Sequence, residues 1–285
     1  MNLRQVRKKT KSVANVKKIT RSMQLVSAIK MKKSQTAAIE AGPYQSHLEG
    51  MIRKLIGRID SSYSELFLAK KGATERHLII FVTTNKGLCG AFNFDLFRFL
   101  AKTIDEKKTD FIVIGKKGAS FIPKFGSTIV ADFSSSDPLS QVSAVFDMSL
   151  QAFLTGKYNE VSVLYNRFIS TLHTEVTHET LFPISQRFES EVEEKQSKEY
   201  VVEPSPHEIL DTLLRSYVEE KIRNVIVQSE AGEHSARMVA MKNATDNAND
   251  VIYNLTLLGN KLRQEKITNE LLDMITAKES VEIKD

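Results

Sequence analysis

The stretch Asn85-Lys-Gly-Leu-Cys-Gly-Ala-Phe-Asn93 has the residue types to handle a phosphate. It follows an apolar run and precedes a helical pattern, the place where a glycine-rich turn cradles phosphates with backbone N–H groups. It nevertheless lacks both G-x-G-x-x-G and G-x-x-x-x-G-K-[ST], and Lys86 stands before the first glycine instead of after the last. The spacing therefore predicts a tight structural turn. Cys89 lies in this turn and could serve as a nucleophile, but no histidine accompanies it locally, so it reads as a buried structural thiol. His173 and His178, with Glu175 and Glu179 beside them, resemble a metal pair in composition only: on a helix a spacing of five does not place two imidazoles on one face. The single cysteine also excludes an internal disulfide and a multi-cysteine zinc site. No catalytic residue, metal ligand or cofactor-binding residue is assigned.

Charge is the remaining signal. Residues 1–39 hold eleven Lys/Arg and no acid, whereas residues 40–285 hold 29 Lys/Arg against 35 Asp/Glu, a net charge of −6. The basic pI of about 9.1 thus belongs to one end. A targeting peptide, a nucleic-acid arm and a helix that meets an acidic protein are the three readings. Residues 1–39 contain no aromatic residue on which a base could stack, which favours a protein partner.

The elements that carry these groups are legible in the periodicity. Val16, Ile19, Met23 and Val26 step by three and four, and Leu48, Met51, Leu55 and Ile59 resume the pattern after a kink expected at Gly42-Pro43, so Met1 to about Ile59 reads as nearly continuous helix. Pro204 and Pro206 suit the start of a second helical run, from Ile209 to about Lys278. Within it, positions 238, 241, 245, 248, 252, 255, 259 and 262 alternate steps of three and four as a coiled-coil seam does, with Thr245 and Gly259 among its weak positions. Ala236, Ala240, Ala244 and Ala248 add a row of small side chains that lets another helix approach closely. Helices of about 80 and 100 Å, at 1.5 Å per residue, exceed what a domain of this size encloses. Between them, residues 77–84, 110–115 and 161–165 read as strands and 94–104 and 139–154 as helices, a small parallel-sheet α/β layer. Residues 189–203 are acidic, poor in apolar side chains and end near two prolines, so they read as an exposed connection. The expected fold is α/β: a long antiparallel coiled coil of the terminal helices (1–60 and 205–280) with an inserted Rossmann-like lobe (75–190). No apolar run approaches the roughly 18 residues that span a bilayer.

Three blocks are recognisable as residues. They are Ile19-Thr-Arg-Ser-Met-Gln-Leu-Val-Ser-Ala28 with Lys30-Met-Lys-Lys33, the loop Asn85 to Asn93, and Ser229-Glu-Ala-Gly-Glu-His-Ser-Ala-Arg-Met-Val-Ala-Met-Lys-Asn-Ala-Thr-Asp-Asn-Ala248 with Lys261-Leu-Arg-Gln-Glu-Lys-Ile-Thr-Asn-Glu270. On these the sequence resembles the gamma chains of rotary proton-translocating ATP synthases, over nearly its whole length. It departs from them at Lys242, where an acid is common, and at Asn85-Lys86, where the loop commonly opens with Asp-Arg or Asp-Lys. The two-cysteine regulatory insertion of chloroplast members is absent. The match begins within the first few residues, which argues against a cleavable presequence.

The resemblance implies a non-catalytic rotor shaft, with ATP chemistry in the beta subunits. It implies three alpha and three beta subunits around the shaft, an epsilon subunit and a membrane rotor ring of c subunits at its foot, and no nucleic acid and no insertion into the bilayer. The location implied is the cytoplasmic face of a bacterial inner membrane. It further implies that Arg21, Met23, Lys30, Lys32 and Lys33 pass the acidic levers of the beta subunits. Tyr200 and Glu203 would meet the ring, and Arg263 and Gln264 a loop of one beta subunit. A nucleotide-using α/β enzyme and a basic helical nucleic-acid-binding protein are the alternatives.

Overall fold

The computed structural model describes residues 2–56, 66, 74–135, 137–184 and 205–282. Helix α1 spans Leu3–Ile56 and runs through Pro43, whose carbonyl takes a hydrogen bond from Ser46 Oγ at 3.0 Å, so no break occurs at the expected kink. Then follow β1 (His77–Val82), α2 (Phe92–Thr103), β2 (Thr109–Ile114), α3 (Lys116–Phe125), β3 (Thr128–Asp132), a 3-10 turn at Pro138–Gln141, α4 (Val142–Leu154), β4 (Glu160–Phe168), β5 (Thr174–Phe182) and α5 (Pro206–Glu282). The chain forms two compact units, Met1–Val26 with Met238–Asp285, and Ser27–Arg237.

In the first unit the two helices pair antiparallel: Thr20 Oγ1 and Thr245 Oγ1 are hydrogen bonded at 2.8 Å, and Val6 lies against Gly259. The expected seam is the buried face of α5. Met241, Thr245, Ala248 and Leu255 are buried, and Met238, Ile252, Gly259 and Leu262 are half-buried. On α1 three of the four residues of the expected stripe lie on the outer face: Val16, Ile19 and Val26 are about half exposed, at 49%, 59% and 51%, whereas Met23 is half-buried. Up to residue 24 the buried or half-buried positions of α1 are 3, 6, 10, 13, 14, 17, 20, 23 and 24, and the line through them in steps of three and four carries Leu3, Val6, Thr10, Val13, Lys17, Thr20 and Gln24. The helices approach through small and polar side chains, so a purely apolar pattern finds the outer face of α1. Thr245, a weak position by hydrophobicity, is satisfied there by Thr20 and by the Met241 carbonyl.

In the second unit a five-stranded sheet has the order β3-β2-β1-β4-β5. β1 pairs in parallel with β2 and β4, and β2 with β3, whereas β5 runs antiparallel to β4. The strands alternate sides as their pleat demands. Leu78, Ile80 and Val82 face a core completed by Leu48 and Ile52 of α1, α4, and Leu214, Tyr217 and Ile222 of α5. Ile79 and Phe81 face Leu96, Leu100 and Ile122 of α2 and α3. The sheet is thus mixed, not wholly parallel, and β3, β5 and α3 lie where no element was expected. His173 consequently sits in the turn just before β5 and His178 within that strand, so the helical-spacing argument does not apply to them. Tyr200, Glu203 and the connection 189–203 lie outside the described residues.

Candidate functional site: a seam and a clamp

The order of the strands reverses between β1 and β4, which in open α/β sheets opens a crevice beyond the carboxyl ends of the strands. The loop 83–93 lies there, and its hydrogen bonds are spent inside the fold. Thr83 Oγ1 accepts the Gly118 N–H at 2.8 Å, Thr84 O accepts that of Lys117 at 3.1 Å, and Asn85 Oδ1 accepts that of Lys116 at 3.1 Å. The first-turn amides of α3, which could otherwise hold an anion, are all occupied. Asn93 closes the loop by donating Nδ2 to Thr84 Oγ1 at 2.8 Å and accepting the Thr84 N–H at 3.3 Å. Leu88 takes a left-handed φ of 64°, rare for a bulky residue, and projects outward at 62% exposure.

α5 covers this crevice. Arg237 is 7% exposed and donates Nε to Gly87 O at 3.2 Å and Nη2 to Lys86 O at 3.1 Å. Its Nη2 also binds Glu233 Oε1 at 2.6 Å, and Nη1 lies 3.3 Å from His234 Nδ1. One turn earlier Gly232 meets Phe92 and Thr174, where an added Cβ would come within 3.0 and 3.1 Å. Ser235 Oγ donates to Thr171 O, and Asn166 of β4 donates Nδ2 to Phe92 O at 2.7 Å. The loop is therefore the tight turn that its sequence predicts. Cys89 is buried inside it, accepts Asn93 Nδ2 at 3.4 Å, and has its pKa raised by burial, against the attraction of Arg237.

Burial also raises the carboxyl pKa of Glu230 and of Glu233, although Lys30 attracts both, joined by Lys33 at Glu230 and by Arg237 at Glu233. His234 is pushed down to about 4, first by burial, then by the charges of Arg237 and Lys30. Its Nδ1 accepts from Arg237, so the neutral ring fits the site. Because opened chain takes up the proton near pH 6.5 and the folded site only near 4, the His234 contribution is present above about pH 6.5 and lost as pH falls towards 4. Hydrogen exchange of residues 230–240 in the purified protein checks this. Protection relative to His234→Gln should be larger at pH 7 than at pH 5, and a pH-independent difference would refute the assignment.

The remaining candidates are dispersed. Arg21 donates Nη1 to Gln24 Oε1 at 3.0 Å, and Arg21, Lys30, Lys32 and Lys33 are exposed while Met23 is half-buried. Arg263 and Gln264 are exposed, directly after Leu262. His178 Nε2 lies 2.8 Å from Ser162 Oγ, Glu175 binds Arg167 at 2.8 Å, and Glu179 pairs with Lys221 at 2.6 Å. These partners engage His178, Glu175 and Glu179 within the fold. Among the described residues no set of three or more His, Cys, Asp or Glu side chains could hold a metal ion, and no helix is long and apolar enough to cross a membrane. The clamp on Lys86 and Gly87 was not visible in the sequence, since its acceptors are backbone carbonyls. The only hint is a lone cation, Arg237, in the row of small residues 232, 236 and 240.

The fold is a pair of terminal helices with an α/β lobe inserted between them in sequence. The family model described as ATP synthase matches residues 2–281. The chain is 37% identical to an ATP synthase gamma chain of Akkermansia muciniphila, covering 99% of each chain, and 35% identical to one of Janthinobacterium sp., covering 98% and 99%. Its fold is similar to a chain of the Euglena gracilis mitochondrial ATP synthase (OSCP/F1/c-ring), with TM-score 0.66, 20% identity and coverage of 98% and 94%. It is also similar to a chain of the Tetrahymena thermophila mitochondrial ATP synthase central stalk and c-ring, with TM-score 0.58, 23% identity and coverage of 79% and 99%. The chain belongs to the ATP synthase gamma chain family, whose members form the central stalk of that complex.

Proposed function

We propose that this chain is the rotor shaft of a proton-transporting ATP synthase and carries no catalytic residue of its own. Its partners in this reading are a surrounding ring of three alpha and three beta subunits, an epsilon subunit and the membrane ring of c subunits, at the cytoplasmic face of a bacterial inner membrane. The paired helices (1–60 and 205–280) deliver torque and the lobe (75–190) forms the foot. Its rotation sets which beta subunit is held open.

The observation that carries the reading is the end of the seam. Leu262 is the last half-buried residue of α5 among the described side chains, yet the helix continues to Glu282, and residues 263–277 are all exposed. On this tip Ile267, Leu271 and Ile275 form an apolar stripe, 49%, 52% and 56% exposed, which an apolar sleeve around the helix would cover. By resemblance, Arg21, Met23, Lys30, Lys32 and Lys33 are the residues that acidic levers would pass, a contact in which unlike charges steer without one fixed geometry. Tyr200 and Glu203 are assigned to the ring contact by resemblance alone. Arg263 and Gln264 stand where the tip leaves its partner helix, and an arginine there can grip a carboxylate bidentately. Replacing both, Arg263→Ala with Gln264→Ala, should leave the complex assembled and lower its ATP turnover by about tenfold, the loss expected for one charge-assisted contact. Wild-type hydrolysis by the double variant would remove the pair from the mechanism. ATP hydrolysis by the purified chain alone would instead favour the enzyme reading, and retention on DNA that falls steeply with salt the nucleic-acid reading.

A further inference from the structure

The contacts that join α5 to the lobe are of two kinds. Leu214, Tyr217, Val218, Ile222 and Val225 bury apolar side chains in the core. Apolar packing is non-directional: it opposes separation more than sliding or turning. Directional contacts are made by Glu219, which accepts from Ser143 Oγ at 2.6 Å, by Lys221, paired with Glu179 at 2.6 Å, and by Ser235 and Arg237, and of these Arg237 reaches the loop at the end of the central strand.

We propose that Arg237 is a positioning residue, the joint through which turning force passes between the lobe and α5. The proposal rests on the rotor-shaft reading and adds to it the path of the load. β1 is flanked on both sides by parallel partners, so its end is a stiff point of the sheet. From there the path runs through Thr84, whose Oγ1 donates to Lys86 O at 2.8 Å and is held by Asn93. Lys86 O accepts Thr84 and Arg237 together, and Gly87 O accepts Arg237 Nε. A planar guanidinium that holds two successive carbonyls resists both axial slip and rotation of the helix, which one point donor would not. Glu233, one turn earlier on α5, accepts from the same Nη2 at 2.6 Å and holds the guanidinium in place. Gly232 lets the helix come close: an added Cβ would meet Phe92 at 3.0 Å and Thr174 at 3.1 Å, so one of these side chains would have to shift.

The chain contains its own reporter of this joint. Cys89, the single cysteine, is 3% exposed inside the clamped loop, so alkylation of this residue measures how often the loop leaves α5. The test uses the assembled complex in vesicles with Arg237→Gln and Arg237→Lys. Alkylation of Cys89 is followed by mass, together with ATP hydrolysis and the proton gradient at which ATP-driven pumping stalls. Removing hydrogen bonds to a buried charge should speed Cys89 alkylation about 10- to 100-fold in Arg237→Gln. Arg237→Lys, which keeps the charge but not the fork, should fall between, and it carries the test if Arg237→Gln does not assemble. Hydrolysis without a load should persist while pumping stalls at a smaller gradient, because a loosened joint slips under load. Faster alkylation with an unchanged stall gradient would make Arg237 a structural fastener only, and unchanged alkylation would remove the clamp altogether. Either result with a coupled wild-type complex defeats this inference and leaves the shaft reading standing. A wild-type complex that never couples hydrolysis to pumping defeats the reading itself.

Discussion

Alanine at position 115 should severely destabilise the lobe. Gly115 joins β2 to α3 at φ 103°, and a Cβ there would fall 2.1 Å from the Thr83 carbonyl oxygen and 2.8 Å from Thr83 Oγ1. The displaced groups are the ones that begin α3, since Thr83 Oγ1 donates to the carbonyls of Ile114 and Gly115 and accepts the Gly118 N–H. Backbone strain and the lost network together should cost about 3–5 kcal/mol, a large share of the roughly 5–15 kcal/mol that holds a domain together. Gly156→Ala is the control: φ is 71° there too, but nothing lies within 4 Å, so only the conformational cost of about 1 kcal/mol remains. Hydrogen exchange of β1 and β2 separates the two, with protection lost in Gly115→Ala and nearly kept in Gly156→Ala.

Leu255→Asp should part the helices of the first unit and uncouple the machine. Leu255 is 8% exposed in the seam. Removing its buried side chain costs about 2–5 kcal/mol, to which a carboxylate adds the cost of desolvation unless water enters. Water entry means separation of α1 from α5 near that position. A single charge crossing 100 mV supplies about 2.3 kcal/mol, so a joint weakened by this much yields under the work of a few ions. ATP hydrolysis should persist while ATP-driven proton pumping drops to background. Gly259→Ala, one turn along the same seam, should have no such effect. Its added Cβ would meet Val6 Cγ1 at 3.5 Å, an ordinary contact, and the helix gains up to about 1 kcal/mol. Pumping that survives Leu255→Asp would show that the paired seam does not carry the load.

The seam of α5 could be read from the sequence because Met238, Met241, Ile252, Leu255 and Leu262 are apolar at coiled-coil spacing. The matching face of α1 could not, because Thr10, Lys17, Thr20 and Gln24 occupy it while Val16, Ile19 and Val26 advertise the opposite side. Hydrophobic periodicity reports which side chains avoid water, and in the proposed shaft reading a surrounding ring would cover the outer face of α1 as well. The central strands β1, β2 and β4 were legible as unbroken apolar runs. β3 and β5 are edge strands with partly exposed faces, and β5 is rich in Thr, Glu and His, so neither carries that signature. α3 is masked by Gly118 and by Pro123 inside it. The loop 85–93 announced its place by its glycines, but its role came from Arg237, 150 residues away from Gly87 in the chain.

The central claim is that the chain turns inside a ring of catalytic subunits and performs no chemistry itself. It is tested most directly by fixing the ring of the assembled complex to a surface, attaching a bead to the lobe and watching it while ATP is supplied. The account predicts one-way stepping that stops when ATP is withdrawn. A bead that stays fixed while the complex hydrolyses ATP at its full rate would contradict it.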